Sequence, residues 1–133
     1  MRWLPEPPGD GGSHHGETAL MVSKASARYQ RLSPRKARVI INLVRGREAA
    51  EALQLLEYTM KAGAPVVKKL IASALANARQ LNPQIDADTL FISRATVDKA
   101  PDQHTRRWRP RAMGRATKIT KGNSHIHIEL DER

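Results

Sequence analysis

Residues 109–130 read RPRAMGRATKITKGNSHIHIEL, and two chemistries meet inside them. The last six, His125-Ile126-His127-Ile128-Glu129-Leu130, alternate polar and apolar without a fault. A period of two marks a half-buried strand. Ile126, Ile128 and Leu130 should face a core, leaving His125, His127 and Glu129 for water or a partner. The stretch before it has almost nothing to bury: Arg109, Arg111, Arg115, Lys118 and Lys121 are spaced by small residues.

Upstream, Leu90 to Val97 is rich in β-branched and aromatic side chains and reads as another strand. Residues 98–124 between the two strands are long for an ordinary loop. If they continue both strands as a ribbon, each arm of about 12 residues reaches roughly 40 Å at about 3.3 Å per residue. A two-stranded ribbon is barely stable alone and needs a partner surface.

Further upstream the period changes. Ser33-Pro34 announces a helix, with Ser suited to the N-cap and Pro to the first helical position. Ala37, Ile40, Ile41 and Val44 recur at helical spacing, and Gly46 can take the left-handed position that ends it. A second helix is predicted over 48–58, with Ala49, Ala52, Leu53 and Leu56 inward. Gly63 breaks the chain. A third helix follows over 65–81, with a wide stripe of Val66, Val67, Leu70, Ile71, Ala74, Leu75 and Ala78, ended by Asn82-Pro83. Ala72, Ala74 and Ala76 imply close packing on another element. Residues 25–32 read as a weak edge strand.

The charge is +10 over 133 residues, and its distribution says more than its sum. Residues 24–47 carry eight basic side chains and no acidic one, and residues 94–122 carry nine basic against two acidic. The middle, 48–93, is near neutral. Two cationic blocks flanking a core-forming centre call for a polyanion, since such charge repels itself when left alone. There are no cysteines, which rules out disulfides and thiolate metal sites. No apolar run approaches the roughly 18 residues of a membrane span, so no membrane partner is expected. Residues 1–23 form a Pro-, Gly- and Ser-punctuated extension expected to be disordered. Residues 1–20 should be dispensable, with Met21 opening the cleaner sequence.

Two clusters could carry binding. The stronger is Arg106-Arg107-Trp108-Arg109-Pro110-Arg111 with Gly114, Arg115, Lys118 and Lys121. Guanidinium groups grip phosphate oxygens in a bidentate manner, and Trp108 can stack on an exposed base. Gly114 permits the positive φ of a ribbon tip. The second is Arg28, Arg31, Arg35, Lys36 and Arg38, at the end of a strand and the start of a helix whose free N–H groups suit a phosphate. His104, His125 and His127 alone suggest metal, with no third ligand beyond Glu129. No phosphate loop, nucleophile elbow or H-E-x-x-H occurs, so neither catalysis nor a cofactor is expected. Asp98 and Asp102, beside basic segments, suit ion pairs better than acid–base chemistry.

Four segments in order resemble a family of ribosomal proteins, the large-subunit protein number twenty-two. They are LSPRKARVIINLVRG at 32–46, VVKKLIASALANA at 66–78, RPRAMGRATKI at 109–119 and SHIHIEL at 124–130. The resemblance spans residues 24–131. It implies an α+β fold with three helices packed on a small three-stranded antiparallel sheet, and a long protruding β-hairpin over about 90–130. It further implies a structural, non-enzymatic role. The expected partners are large-subunit ribosomal RNA, neighbouring large-subunit proteins and the nascent peptide, whose exit tunnel the hairpin lines. It also implies help in subunit assembly. The expected place is the cytoplasm, on a bacterial-type ribosome, or its organellar counterpart. In that reading residues 24–133 are one RNA-binding domain, and Arg106, Arg107, Arg109, Arg111, Gly114 and Arg115 form the hairpin end. Residues 101–110 run about two residues longer than the family pattern, which leaves the hairpin register open.

Two readings compete. In one, the helices at 34–45 and 48–58, joined by Arg45-Gly46-Arg47, mimic a helix-turn-helix that binds duplex DNA. In the other, His125 and His127 hold a catalytic metal.

Overall fold

The computed structural model describes residues 21–133. The expectations for residues 1–20 lie outside the described residues. In chain order the elements are β1 (Met21–Gln30), α1 (Pro34–Val44), α2 (Ala49–Tyr58), α3 (Ala64–Leu81), β2 (Leu90–Ala100), β3 (Arg106–Pro110), β4 (Ala116–Thr120) and β5 (Asn123–Glu132). The architecture is α+β. One antiparallel sheet has the order β1-β5-β2, and β3 and β4 pair separately as a two-stranded sheet.

The alternating strand is the centre of the body. Ile126, Ile128 and Leu130 of β5 are fully buried, together with Ile40, Ile41 and Val44 of α1, Val67 and Ile71 of α3, and Leu90 and Ile92 of β2. α3 lies against β1 and β5, α1 against β2 and α2 against α3. The buried face of α1 is the expected one, Ala37, Ile40, Ile41 and Val44. Pro34 opens that helix, but the Ser33 hydroxyl makes no capping bond. Gly46 takes φ +78°. Its N–H donates to Ile92 O at 3.0 Å, and Ile92 N–H donates to Arg47 O at 2.9 Å. These bonds tie the α1–α2 link to β2.

Some details depart from the sequence reading. Residues 21–23, placed in the N-terminal extension, already belong to β1, and the Ser23 hydroxyl donates to Ala74 O at 2.9 Å. The close packing expected of the alanine run is made by Ala74 and Ala78, while Ala72 and Ala76 are exposed. Gly63 caps α3 with an ordinary φ of −84°. A Cβ there would stand 2.5 Å from Leu32 Cδ2 and 2.7 Å from Ile40 Cδ1, so any larger residue makes those two side-chain ends shift. The ribbon is interrupted. β2 and β5 pair as far as Ala100 and Asn123, and β3–β4 pairing resumes at Arg106 and Thr120. Between them Gln103–Thr105 form one 3-10 turn.

Candidate nucleic-acid interface

Strict pairing sorts the β3–β4 ribbon into two faces. Trp108 stands opposite Lys118 and Arg106 opposite Thr120; Arg107 opposes Ile119 and Arg109 opposes Thr117. Side chains directly opposite share a face and alternate along each strand. Trp108 and Lys118 therefore lie on one face, and Arg107 and Arg109 on the other. Every β3 residue is exposed. The tip turns at Met113 (φ +62°) and Gly114 (φ +71°), two consecutive left-handed residues. Arg115 N–H points back to Ala112 O at 3.5 Å, and Arg111 N–H donates to Arg115 O at 2.7 Å. This is the geometry of a type I′ hairpin turn. It sets Arg111 and Arg115 on either side of the tip.

Arg106 is already engaged. Its Nη2 and Nε donate to Asp102 Oδ1 at 2.9 and 3.2 Å. The guanidinium beside Asp102 holds that carboxyl below its ordinary value of 3.8. Asp102 thus acts as an ion-pair partner rather than an acid–base group. The Thr105 hydroxyl lies 2.6 Å from Lys121 O and 2.9 Å from Asp102 O, which ties the turn to the strand leaving the ribbon.

The second cluster wraps the end of β1 and the start of α1. Arg28 and Arg31 lie at and just beyond the strand end, and Arg35 and Lys36 occupy the first helical turn, which carries no acidic residue. Among the described residues, Arg28, Arg31, Arg35 and Lys36 hold no salt bridge. Arg38 is partly spent on the fold, since its Nη2 donates to Val97 O at 3.3 Å. Arg45, left out of the expected site, does the same to Ala95 O at 2.7 Å.

The two clusters, far apart in sequence, adjoin at one point. A Cβ added at Gly122 would lie 3.5 Å from Pro34 Cδ and 3.6 Å from Ser33 Cα. The root of the ribbon therefore sits on the N-terminus of α1, with Lys121 next to the contact on one side and Arg35 on the other. Cationic surface runs from the end of β1 across α1 to the ribbon.

Residues 25–131 match the family model for ribosomal protein L22p/L17e. The chain belongs to that family. It is 67% identical over 113 residues to the large ribosomal subunit protein uL22 of Sorangium cellulosum (strain So ce56), covering 85% of this chain and 99% of that one. It is 46% identical over 113 residues to the large ribosomal subunit protein uL22 of Syntrophobacter fumaroxidans (strain DSM 10017 / MPOB), covering 85% and 100%. The L22p/L17e proteins are structural ribosomal proteins, not enzymes, and that membership displaces both competing readings. The structure adds reasons of its own. The Arg45-Gly46-Arg47 link is bonded to β2. His125 Nδ1 accepts the Tyr29 N–H at 3.0 Å. Among the described residues no three His, Cys, Asp or Glu gather as a metal would need. Nor is any described helix long and apolar enough to cross a membrane.

The sequence reading placed Tyr29 within a weak edge strand and gave it no part in binding. It is 57% exposed, with φ +54°. Of the sheet's outer face that reading gave only the β5 side chains, not the residues opposite them. There Lys24 and Arg94 both pair with Glu129, and Ser26 and Thr96 with His127, across a groove of about 690 Å³. The alternation of β5 signalled that face; the residues opposite it depend on strand register.

Proposed function

We propose that the protein is a structural constituent of the large ribosomal subunit that binds large-subunit RNA through the joined cationic surface. The RNA ligands are Arg28, Arg31, Arg35, Lys36 and Arg38 on the body, and Arg107, Trp108, Arg109, Arg111, Gly114, Arg115, Lys118 and Lys121 on the ribbon. Arg106 serves the ribbon root first and RNA second. The contact of Gly122 with Ser33 and Pro34 carries this reading, because it makes one surface of two cationic blocks. Phosphate binding suits unpaired guanidinium groups, and the uncapped first turn of α1 adds N–H donors.

The β2–β5 pair and the β3–β4 ribbon together act as one long hairpin that lines the nascent-peptide exit tunnel. Its exposed strands order against RNA, and its tip meets the nascent peptide. By bridging RNA segments the protein assists subunit assembly beside neighbouring large-subunit proteins. Its place is the cytoplasm, on the ribosome, with residues 21–133 as one RNA-binding domain. The test is reconstitution with the full chain and a chain lacking residues 105–107. The shortened chain should enter the subunit and alter macrolide sensitivity or the response to stalling peptides. A shortened chain that enters subunits and leaves both unchanged would remove the ribbon from the tunnel.

A further inference from the structure

β1 buries alternate residues: Ser23 is buried, and Ala25 and Ala27 are partly buried against the core. Continued regularly, that alternation would turn Tyr29 inward. Instead the register shifts between Ala27, opposite Ile126, and Gln30, opposite Ser124. Two residues, Arg28 and Tyr29, then stand against His125. Such a bulge re-aims a side chain. Here it takes the bulkiest apolar side chain of the strand out of the core.

The cost is a left-handed backbone at a non-glycine residue, φ +54°. Strain of that kind persists only where the surroundings hold it, and it concentrates at functional positions. The holding groups are visible. Tyr29 N–H donates to His125 Nδ1 at 3.0 Å, and the two rings meet edge to face at 4.6 Å between centroids. The Arg28 guanidinium lies 5.6 Å from the ring centroid. More than half of Tyr29 still faces solvent.

We infer that Tyr29 is a stacking site for one unpaired base of RNA, with Arg28 and Arg31 beside it for the flanking phosphates. The inference rests on the RNA-binding reading above and adds a base contact to it. The occupant follows from charge: residues 24–47 hold no acidic side chain. An aromatic face beside arginines takes splayed bases in single-stranded RNA recognition.

The test compares full-length wild type, Tyr29→Phe and Tyr29→Leu for binding to deproteinised large-subunit ribosomal RNA across a salt series. Stacking is worth about 1–3 kcal/mol per base, so Tyr29→Leu should weaken binding roughly 5- to 150-fold, whereas Tyr29→Phe stays close to wild type. The salt slope should not change, since a neutral contact releases no counterions. Equal affinity for Tyr29→Leu and wild type overturns the inference while leaving RNA binding intact. Wild type that fails to bind overturns the RNA-binding reading itself. Should Tyr29→Leu fail to fold, ultraviolet cross-linking of wild type in assembled subunits decides. A nucleotide adduct on Tyr29 supports the site, and its absence, or a cross-link to a neighbouring protein, refutes it.

Discussion

Asp102 accepts two hydrogen bonds from Arg106 on a single oxygen, at the point where the ribbon leaves the body. Pairing to the guanidinium depresses the carboxyl's pKa in the fold. A depressed carboxylate contributes its full stabilisation above the unfolded value, ordinarily 3.8, and loses it as pH falls through the lower folded value. Acidification through that window should loosen the ribbon root before the body melts. Protection of the amides at residues 105–107, taken relative to the intrinsic exchange rate at each pH, should fall there. Asp102→Asn should show the faster exchange already at neutral pH, and a root indifferent to both changes would mean that the pair carries no structural role.

The tip turn invites improvement. Met113 holds φ +62° with 93% of its surface exposed, so the position has strain and no packing to lose. Type I′ turns favour Asn-Gly at their centre. Met113→Asn should stabilise the paired ribbon by about 1 kcal/mol, the scale of the left-handed penalty for an ordinary side chain. Slower exchange across the Arg109–Thr117 pair would report it.

Ile41 and Ile40 lie in the main core, 0% and 2% exposed. Ile41→Ala or Ile40→Ala should cost about 2–5 kcal/mol through lost transfer energy and an unfilled cavity. In a body this small, that is a large share of the total. Denaturant melts that match wild type for both variants would show that α1 does not dock through these residues.

Arg35, Lys36 and Arg38 together should set the salt dependence of RNA binding. Each phosphate neutralised contributes roughly 0.7–0.9 to the slope of log affinity against log salt. The triple alanine variant should flatten the slope by about two units, since Arg38 is partly spent on Val97 O. Parallel lines for variant and wild type would place the patch outside the interface.

The body was legible because its signals are local. The faultless alternation of 125–130 located the central strand, and the spacing of Ala37, Ile40, Ile41 and Val44 fixed the buried face of α1. What stayed hidden depends on register between distant segments. The bulge that exposes Tyr29 exists only against His125, 96 residues away. The meeting of Gly122 with Ser33 and Pro34 has no sequence mark either. The break in the ribbon left a weak trace in Pro101, whose missing N–H cannot continue a ladder. The arginines used by the fold, Arg38, Arg45 and Arg106, look like any other cation until their acceptors are placed.

Hydrogen exchange on the full chain, free and in reconstituted large subunits, bears on the whole reading at once. β3 is exposed along its length and paired only to β4, so the free ribbon should exchange fast. On assembly, residues 28–38 and 106–120 should gain protection together, as one RNA-covered surface. Strong protection of 106–120 in the free protein, or a gain confined to one of the two segments, would contradict it.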